Sequence, residues 1–194
     1  MRLLDLIILT MNEKRYIGKV TLGIKVRRAL WNVVSALLFR PFGTKLFRLW
    51  RLLLLRLFGA RVSWRSDVYA SARVWAPWNL TLADGACLGP HVICYNQAQV
   101  VLGKDACVSQ YAYLCTAGHD VPGAEENVPL NNADQGLVVA AIVLEEGAWV
   151  GTQAFVGMGV TVGQRSIVGA RANVFKDVPA NAVVYAPVGH CASL

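Results

Sequence analysis

The chain is short of charge, and where it begins it is almost without negative charge. Of 194 residues only 16% are Asp, Glu, Lys or Arg, while 55% are hydrophobic; the first figure lies below the average of soluble domains and the second above it. A disordered chain needs the opposite balance and is excluded. Much buried surface is implied, including subunit interfaces or a membrane-facing patch. Residues 1–65 hold 14 of the 19 Lys and Arg but only two acids, Asp5 and Glu13, whereas residues 66–194 hold five bases and ten acids. The basic character therefore belongs to one N-terminal segment, which argues against nucleic acid as a partner and for a membrane surface or a subunit neighbour. None of the five cysteines forms a CxxC pair, and no Cys/His spacing suits structural zinc. They read as small buried hydrophobes in a reducing compartment. A long apolar run is also missing near the N-terminus. The longest uncharged stretch there, Ala29–Phe39, has 11 residues, and a membrane span needs about 20. The opening MRLLDLIILT lacks a small-residue cleavage site. The expectation is a cytoplasmic protein without a spanning helix, with a peripheral contact at the inner face of the membrane as a further option.

What is present is a repeat. An aliphatic residue recurs every six positions at Val62, Val68, Val74, then Leu82, Leu88, Cys94, then Leu102, Val108, Leu114. After a break it resumes at Leu144, Val150, Val156, then Val162, Val168, Val174, then Ala180. Fourteen of these sixteen positions are Leu or Val. Glycine follows the aliphatic residue at 89, 103, 151, 157, 163 and 169, and a small or β-branched residue stands four places on at most repeats. A helix has a period of about 3.6 and a simple strand of 2, so a period of six means a short strand followed by a sharp turn. Three such units close a triangular coil, with the aliphatic residue inward, the small residue at the corner and Gly supplying the turn's unusual dihedrals. Coils advance by 20 residues in the first half and by 18 in the second; each buries its column only against its neighbours.

The repeat breaks between Leu114 and Leu144. The intervening CTAGHDVPGAEENVPLNNADQGLVVAAIV is rich in Gly, Pro, Asn and acids and reads as a loop thrown out at about residues 116–141. His119, at its base, is a candidate proton carrier because an imidazole titrates near neutrality. His91 sits within a hexad turn and reads as structural. His190 lies in the tail and reads as solvated.

On these hexads the sequence resembles the hexapeptide-repeat acyltransferases. YLCTAGHD and GAWVGTQAFVGMGVTVGQRSIVGARANVFKDVPANAVV, with WNLTL at Trp78–Leu82 and RLFGARV at Arg56–Val62, look like the O-acetyltransferases of exopolysaccharide synthesis of the colanic acid type. These are relatives of the maltose, galactoside and nodulation-factor enzymes. The resemblance covers about residues 25–186. It implies an all-β fold, a left-handed parallel β-helix with an N-terminal helical segment and a protruding loop; the handedness comes from the resemblance, since parallel crossovers are ordinarily right-handed. It implies transfer of acetyl from acetyl-CoA to a sugar hydroxyl, with His119 as general base, no metal required, and a homotrimer whose subunits share the CoA groove. Carried over by position, Thr152 and Ala170 meet the pantetheine arm, Phe175 and Lys176 lie toward the nucleotide, and Trp149 lines the cleft on the acceptor side. Asn96, in a turn between coils, is a candidate for orienting the acceptor. The chain departs from the family at Tyr185–Leu194, where the usual Gly-x-Pro turn and arginine tail are absent.

The expected organisation is a basic, apolar helical segment over 1–58, a β-helix domain over 59–186 and a tail over 187–194. Two helices are predicted within 25–58, separated near Arg40-Pro41-Phe42-Gly43. They read either as a cap on the open end of the β-helix or as a membrane anchor. Three other functions remain open. A γ-class carbonic anhydrase would need three His about a metal, where this loop offers one. The others are a non-catalytic scaffold and an acetyltransferase for an amino acid or antibiotic.

Overall fold

The computed structural model describes residues 15–17, 20–119 and 137–187. Most of the loop, Asp120 included, and the tail bearing His190 and Cys191 lie outside the described residues.

β1 (Arg15–Ile17) precedes α1 (Leu22–Val34), which runs into a π-helical stretch over Ser35–Phe39. The break expected near Pro41 and Gly43 follows. A short 3₁₀ turn (Lys45–Phe47) then leads into α2 (Arg48–Leu57). Five coils come next. The first holds β2 (Arg61–Val62), β3 (Asp67–Val68) and β4 (Arg73–Val74); the second β5 (Leu80–Leu82), β6 (Cys87–Leu88) and β7 (Ile93–Tyr95). The third holds β8 (Val100–Leu102), β9 (Cys107–Val108) and β10 (Tyr113–Cys115), then departs through β11 (Ala117–His119) and returns through β12 (Leu137–Val139). The fourth is β13 (Ile142–Leu144), β14 (Trp149–Val150) and β15 (Phe155–Val156); the fifth is β16 (Thr161–Val162), β17 (Ile167–Val168) and β18 (Asn173–Val174). β19 (Val183–Val184) begins a partial sixth. The strands stack into three parallel faces: β2-β5-β8-β13-β16, β3-β6-β9-β14-β17-β19 and β4-β7-β10-β15-β18.

The hexad column is the core. From Val62 to Val174 every aliphatic position of the repeat is buried. Ala180 departs from the expectation: it is exposed, and Val178 bridges to Val162 in its place. The spacing contracts in the last coil, so the residue over Val162 is 16 positions on rather than 18. The glycines also do a different job from the one expected. Positive φ falls on His91, Asp105, Tyr111, Gln153, Arg165, Arg171 and Asn181 at the corners, and on other glycines. The hexad glycines instead lie under the next coil. A Cβ on Gly151 would stand 2.7 Å from the Ala170 nitrogen, and one on Gly163 would stand 2.5 Å from the Ala180 nitrogen. They are needed for close approach of backbone to backbone.

Along the stack, the carbonyls of the buried column accept from the coil beneath, as Leu82 O does from Ser63 N at 2.9 Å and Cys94 O from Trp75 N at 3.0 Å, while corner N–H groups such as that of Asp105 donate downward, to Asp84 O at 2.9 Å. The equivalent carbonyls of the first coil, those of Val62, Val68 and Val74, therefore face the N-terminal end with no coil beneath, and unpaired carbonyls are costly. The helices supply the donors. Arg56 donates to Val62 O at 2.6 Å, Arg51 Nε to Val68 O at 2.8 Å and Trp31 Nε1 to Val74 O at 2.8 Å, one on each face. Arg48 donates to Trp64 O and Ser66 O, both at 2.7 Å. The helical segment is a cap.

Candidate active site

The corner between the third and first faces differs from the other two. From Val74 to Leu82 and from Cys94 to Leu102 the column advances by eight residues, so the two extra residues of the early coils are lodged here. Ala76, Asn96 and Thr116 stack buried at this corner. Asn96 accepts from Ala76 N at 2.9 Å and donates to Ala76 O and Asn79 O at 2.7 and 3.1 Å. Its amide is fully buried and spent on backbone, so it has nothing to offer an acceptor; the reading of Asn96 as an acceptor ligand is corrected to a wall residue. Thr116 donates to Tyr95 O and accepts from Ala98 N, both at 3.0 Å.

Above Thr116 the chain leaves the prism. β11 and β12 pair antiparallel with His119 opposite Leu137, and β1 adds a third strand along β12. Beneath the hairpin lies Met158 of the fourth coil, whose methyl group would be 3.3 Å from a Cβ on Gly118. His119 is thereby carried on a short sheet at the mouth of the loop, exposed to solvent.

The other expected residues divide into two groups. Phe175 and Lys176 stand exposed at the same corner as His119, two coils further along. Phe175 packs on Phe155 at 5.5 Å between ring centroids, and Phe155 on Tyr113 at 5.4 Å, an aromatic path along the third face. Thr152 and Ala170 lie at the opposite edge of that face, with Trp149 on the second face beside them. Thr152 Oγ1 donates to Gln110 O at 2.9 Å, and Trp149 Nε1 to Ser109 Oγ at 2.7 Å. The main-chain N–H groups of Thr152 and Ala170 have no partner among the described residues. Within one chain these three are not brought together with His119. Among the described residues no group of three or more His, Cys, Asp or Glu stands together as a metal site.

One feature was missed by the sequence reading. A pocket of about 500 Å³ opens between α1 and the third face of the first two coils, lined by Arg28, Arg40, Arg73, Trp75 and Tyr95 among others. Trp75 and Tyr95 are 20 residues apart, one coil of the early repeat, and this spacing was the available signal that they stack.

The described chain is a β-helix of hexads capped by helices, with His119 on the hairpin where the third coil departs. No family profile matches the chain. It is 38% identical over 163 residues to the colanic acid biosynthesis acetyltransferase candidate WcaF of Escherichia coli K12, covering 83% of each chain. Among solved structures, a maltose O-acetyltransferase from Clostridium difficile 630 superposes with TM-score 0.71 at 19% identity, over 91% of this chain and 88% of that one. The hexapeptide-repeat acetyltransferase VCA0836 of Vibrio cholerae O1 biovar eltor, complexed with acetyl-CoA, gives 0.66 at 21%, over 84% of each. The chain belongs to the hexapeptide-repeat acetyltransferases, left-handed β-helix enzymes that take the acetyl group from acetyl-CoA.

Proposed function

We propose that this enzyme acetylates a sugar hydroxyl in the synthesis of an exopolysaccharide or capsule, by direct transfer with His119 as general base. The observation that carries the reading is His119 itself, exposed at the mouth of the one loop that interrupts the prism. A sugar hydroxyl is a poor nucleophile until its proton is taken, whereas a thioester is already activated. As the imidazole accepts the proton, the hydroxyl oxygen forms a C–O bond to the acetyl carbonyl carbon. Collapse of the tetrahedral adduct breaks the C–S bond, and the departing CoA sulfur recovers the proton from the imidazolium. No acyl-enzyme is needed. The sugar acceptor is favoured over an amino acid or antibiotic by the 38% identity to the colanic acid protein.

The division of the residues supports a homotrimer. Thr152 and Ala170 line one edge of the third face, with Trp149 beside them on the second, and His119, Phe175 and Lys176 lie at the other edge. A single acetyl-CoA meets both sets if one copy's loop corner lies against the opposite corner of the next. The open N–H groups of Thr152 and Ala170 suit the amide carbonyls of the pantetheine arm. Light scattering is expected to give three times the 21.1 kDa chain mass; a monomer at micromolar concentration would remove this part of the reading.

The test of the activity is acetyl-CoA turnover against a panel of sugars and sugar nucleotides, in wild type and His119→Ala. Loss of general-base catalysis lowers kcat by roughly 10²–10⁴. The exposed position of the side chain means that the unfolding midpoint stays unchanged. Near-normal turnover in the variant would exclude His119 as the base.

A further inference from the structure

We propose that the pocket between α1 and the first two coils is an anion subsite, and that the anion is a phosphate or diphosphate carried by the acceptor sugar. The second half of this statement rests on the sugar-acetylating reading above; the first does not.

The case begins with how the N-terminal arginines are used. Arg27 donates to Phe58 O and lies 4.2 Å from the centroid of the Trp78 ring. Arg48, Arg51 and Arg56 are all spent on carbonyls of the first coil or its approach. Among the described residues Arg28, Arg40, Arg61 and Arg73 are not, and three of these four share a pocket. Arg28, Arg40 and Arg73 come from α1, the end of the π-helical stretch and β4, and all line one pocket. Among the described residues none of their guanidinium groups makes a hydrogen bond or an ion pair. Arg28 lies 4.1 Å from the centroid of the Trp75 ring, so its plane is held, yet its buried Nε has no partner. No acidic residue lines the pocket. Three like charges, one of them half-buried, converge on a partly enclosed space that no described acid enters, an electrostatic setting that favours an anionic occupant. Arginine's planar fork suits phosphate oxygens in pairs.

The pocket's shape and place say which anion. It holds about 500 Å³ and is walled by Trp75 and Tyr95, whose rings meet edge-on at 5.9 Å. That is room for more than a bare ion, with apolar faces on which a sugar ring can lie. The π-helical stretch contributes Ser35 and Ala36 to the lining, and such widenings of a helix concentrate at functional sites. Along the prism the order is informative. The residues proposed to hold acetyl-CoA beyond His119, namely Thr152, Ala170, Phe175 and Lys176, belong to the fourth and fifth coils. The pocket belongs to the first and second. His119 branches from the third, and Tyr95 of the pocket bonds through its carbonyl to Thr116, where the chain turns toward His119. Donor and anion subsite thus flank the base from opposite ends, which is the arrangement required of an acceptor held by a charged group remote from its reacting hydroxyl.

The probe is inorganic pyrophosphate, titrated calorimetrically into the full-length protein with and without saturating acetyl-CoA. Saturable binding that persists beside acetyl-CoA, and that falls at least tenfold in Arg28→Gln/Arg73→Gln while acetyl-CoA affinity holds, is expected. Mutual exclusion with acetyl-CoA would assign the anion to the donor's own phosphates and overturn the proposal, as would equal binding by the variant. The acceptor half is read from kinetics. The double variant should raise KM for a sugar 1-phosphate or a nucleotide diphosphate sugar at least tenfold, leaving KM for acetyl-CoA in place; whichever of the two responds more identifies a mono- or a diphosphate. If neither responds, the anion is not the acceptor's. Failure of every sugar to be acetylated, with pyrophosphate binding intact, would instead strike the proposed function and leave the anion subsite standing.

Discussion

Lys176 shows how a single residue's role is read from distance to the chemistry. It stands exposed at the loop corner of the fifth coil, beside Phe175 and Asp177, whose carboxylate is taken by Thr161 N at 2.7 Å. After Lys104 the only other bases are Arg165 and Arg171, and Arg171 is engaged with Gln153 at 2.8 Å. A phosphate contact far from the reacting carbonyl is equally strong in ground and transition states, so losing it raises KM and spares kcat. Lys176→Ala is expected to raise KM for acetyl-CoA several-fold, about 1 kcal/mol for one exposed charge contact. The wild-type KM should climb with salt as screening shortens to about 8 Å. A lowered kcat with unchanged KM would show that Lys176 does not serve the nucleotide. At this scale the sequence was legible where the chemistry is local. His119 could be singled out because it interrupts a periodic pattern. Asn96 was misread because a polar residue in a turn looks available, and only the fold reveals that the corner of the coil beneath, at Ala76 and Asn79, consumes its amide. The hexad glycines were located correctly and explained wrongly, since spacing along a chain does not disclose how closely the next coil lies above it.

Among the elements, α2 carries the most consequence for stability. Its Arg51 is buried at 2% exposure and donates to Val68 O, Phe42 O and Thr44 O at 2.8, 2.8 and 2.9 Å, with Asp67 3.4 Å away. One guanidinium thus closes a strand end of the first coil and ties down the turn between the helices. Arg51→Met keeps the apolar stem but orphans three carbonyls and a half-buried carboxylate. Unsatisfied buried groups cost about 1–3 kcal/mol each, and water reaches some of them, so a net loss of about 3 kcal/mol is expected by denaturant unfolding. A loss below about 0.5 kcal/mol, the scale of an ordinary surface change, would mean that the cap is not held by this residue. The two helices and the Pro-Gly break between them were readable from composition. Their service as a cap was only one of two readings, because which donor meets which carbonyl depends on the direction in which the coils' N–H groups point, and that has no signature in the hexads. The contraction that puts Val178, not Ala180, over Val162 was likewise hidden by an otherwise regular period.

For the whole molecule, the cap poses a question about its own outer surface. Its inner side buries Trp31, Phe39, Leu52, Leu54 and Leu55. Its outer side exposes Leu22, Val26, Leu30, Val33 and Leu37 along α1 and its π-helical extension, and Leu46, Leu49, Leu53 and Leu57 along the 3₁₀ turn and α2. Both sets recur every three or four residues, so each helix presents an apolar stripe away from the core. No described residue covers these stripes, and exposed apolar area on that scale marks an interaction surface. The charge beside it selects the partner. Between residues 14 and 66 there is no Asp or Glu, and Lys25, Arg40 and Lys45 are exposed around the stripes. An apolar face rimmed by bases alone fits an anionic bilayer, where buried side chains and Lys/Arg attraction add. No helix among the described residues is long and apolar enough to cross a membrane, and the prediction is of binding at the bilayer surface. Deleting the segment is a poor test, because it also strips the donors from the first coil. Leu30→Gln with Leu49→Gln changes only exposed positions. The wild-type protein is expected to float with phosphatidylglycerol-containing vesicles, less so at high salt and less with phosphatidylcholine alone, and the double variant to stay at the bottom of the gradient with its unfolding midpoint unchanged. Equal flotation of both proteins would refute the assignment. So would a wild-type assembly larger than a trimer that falls to a trimer in the variant, since the stripes would then be covered by another copy of the chain.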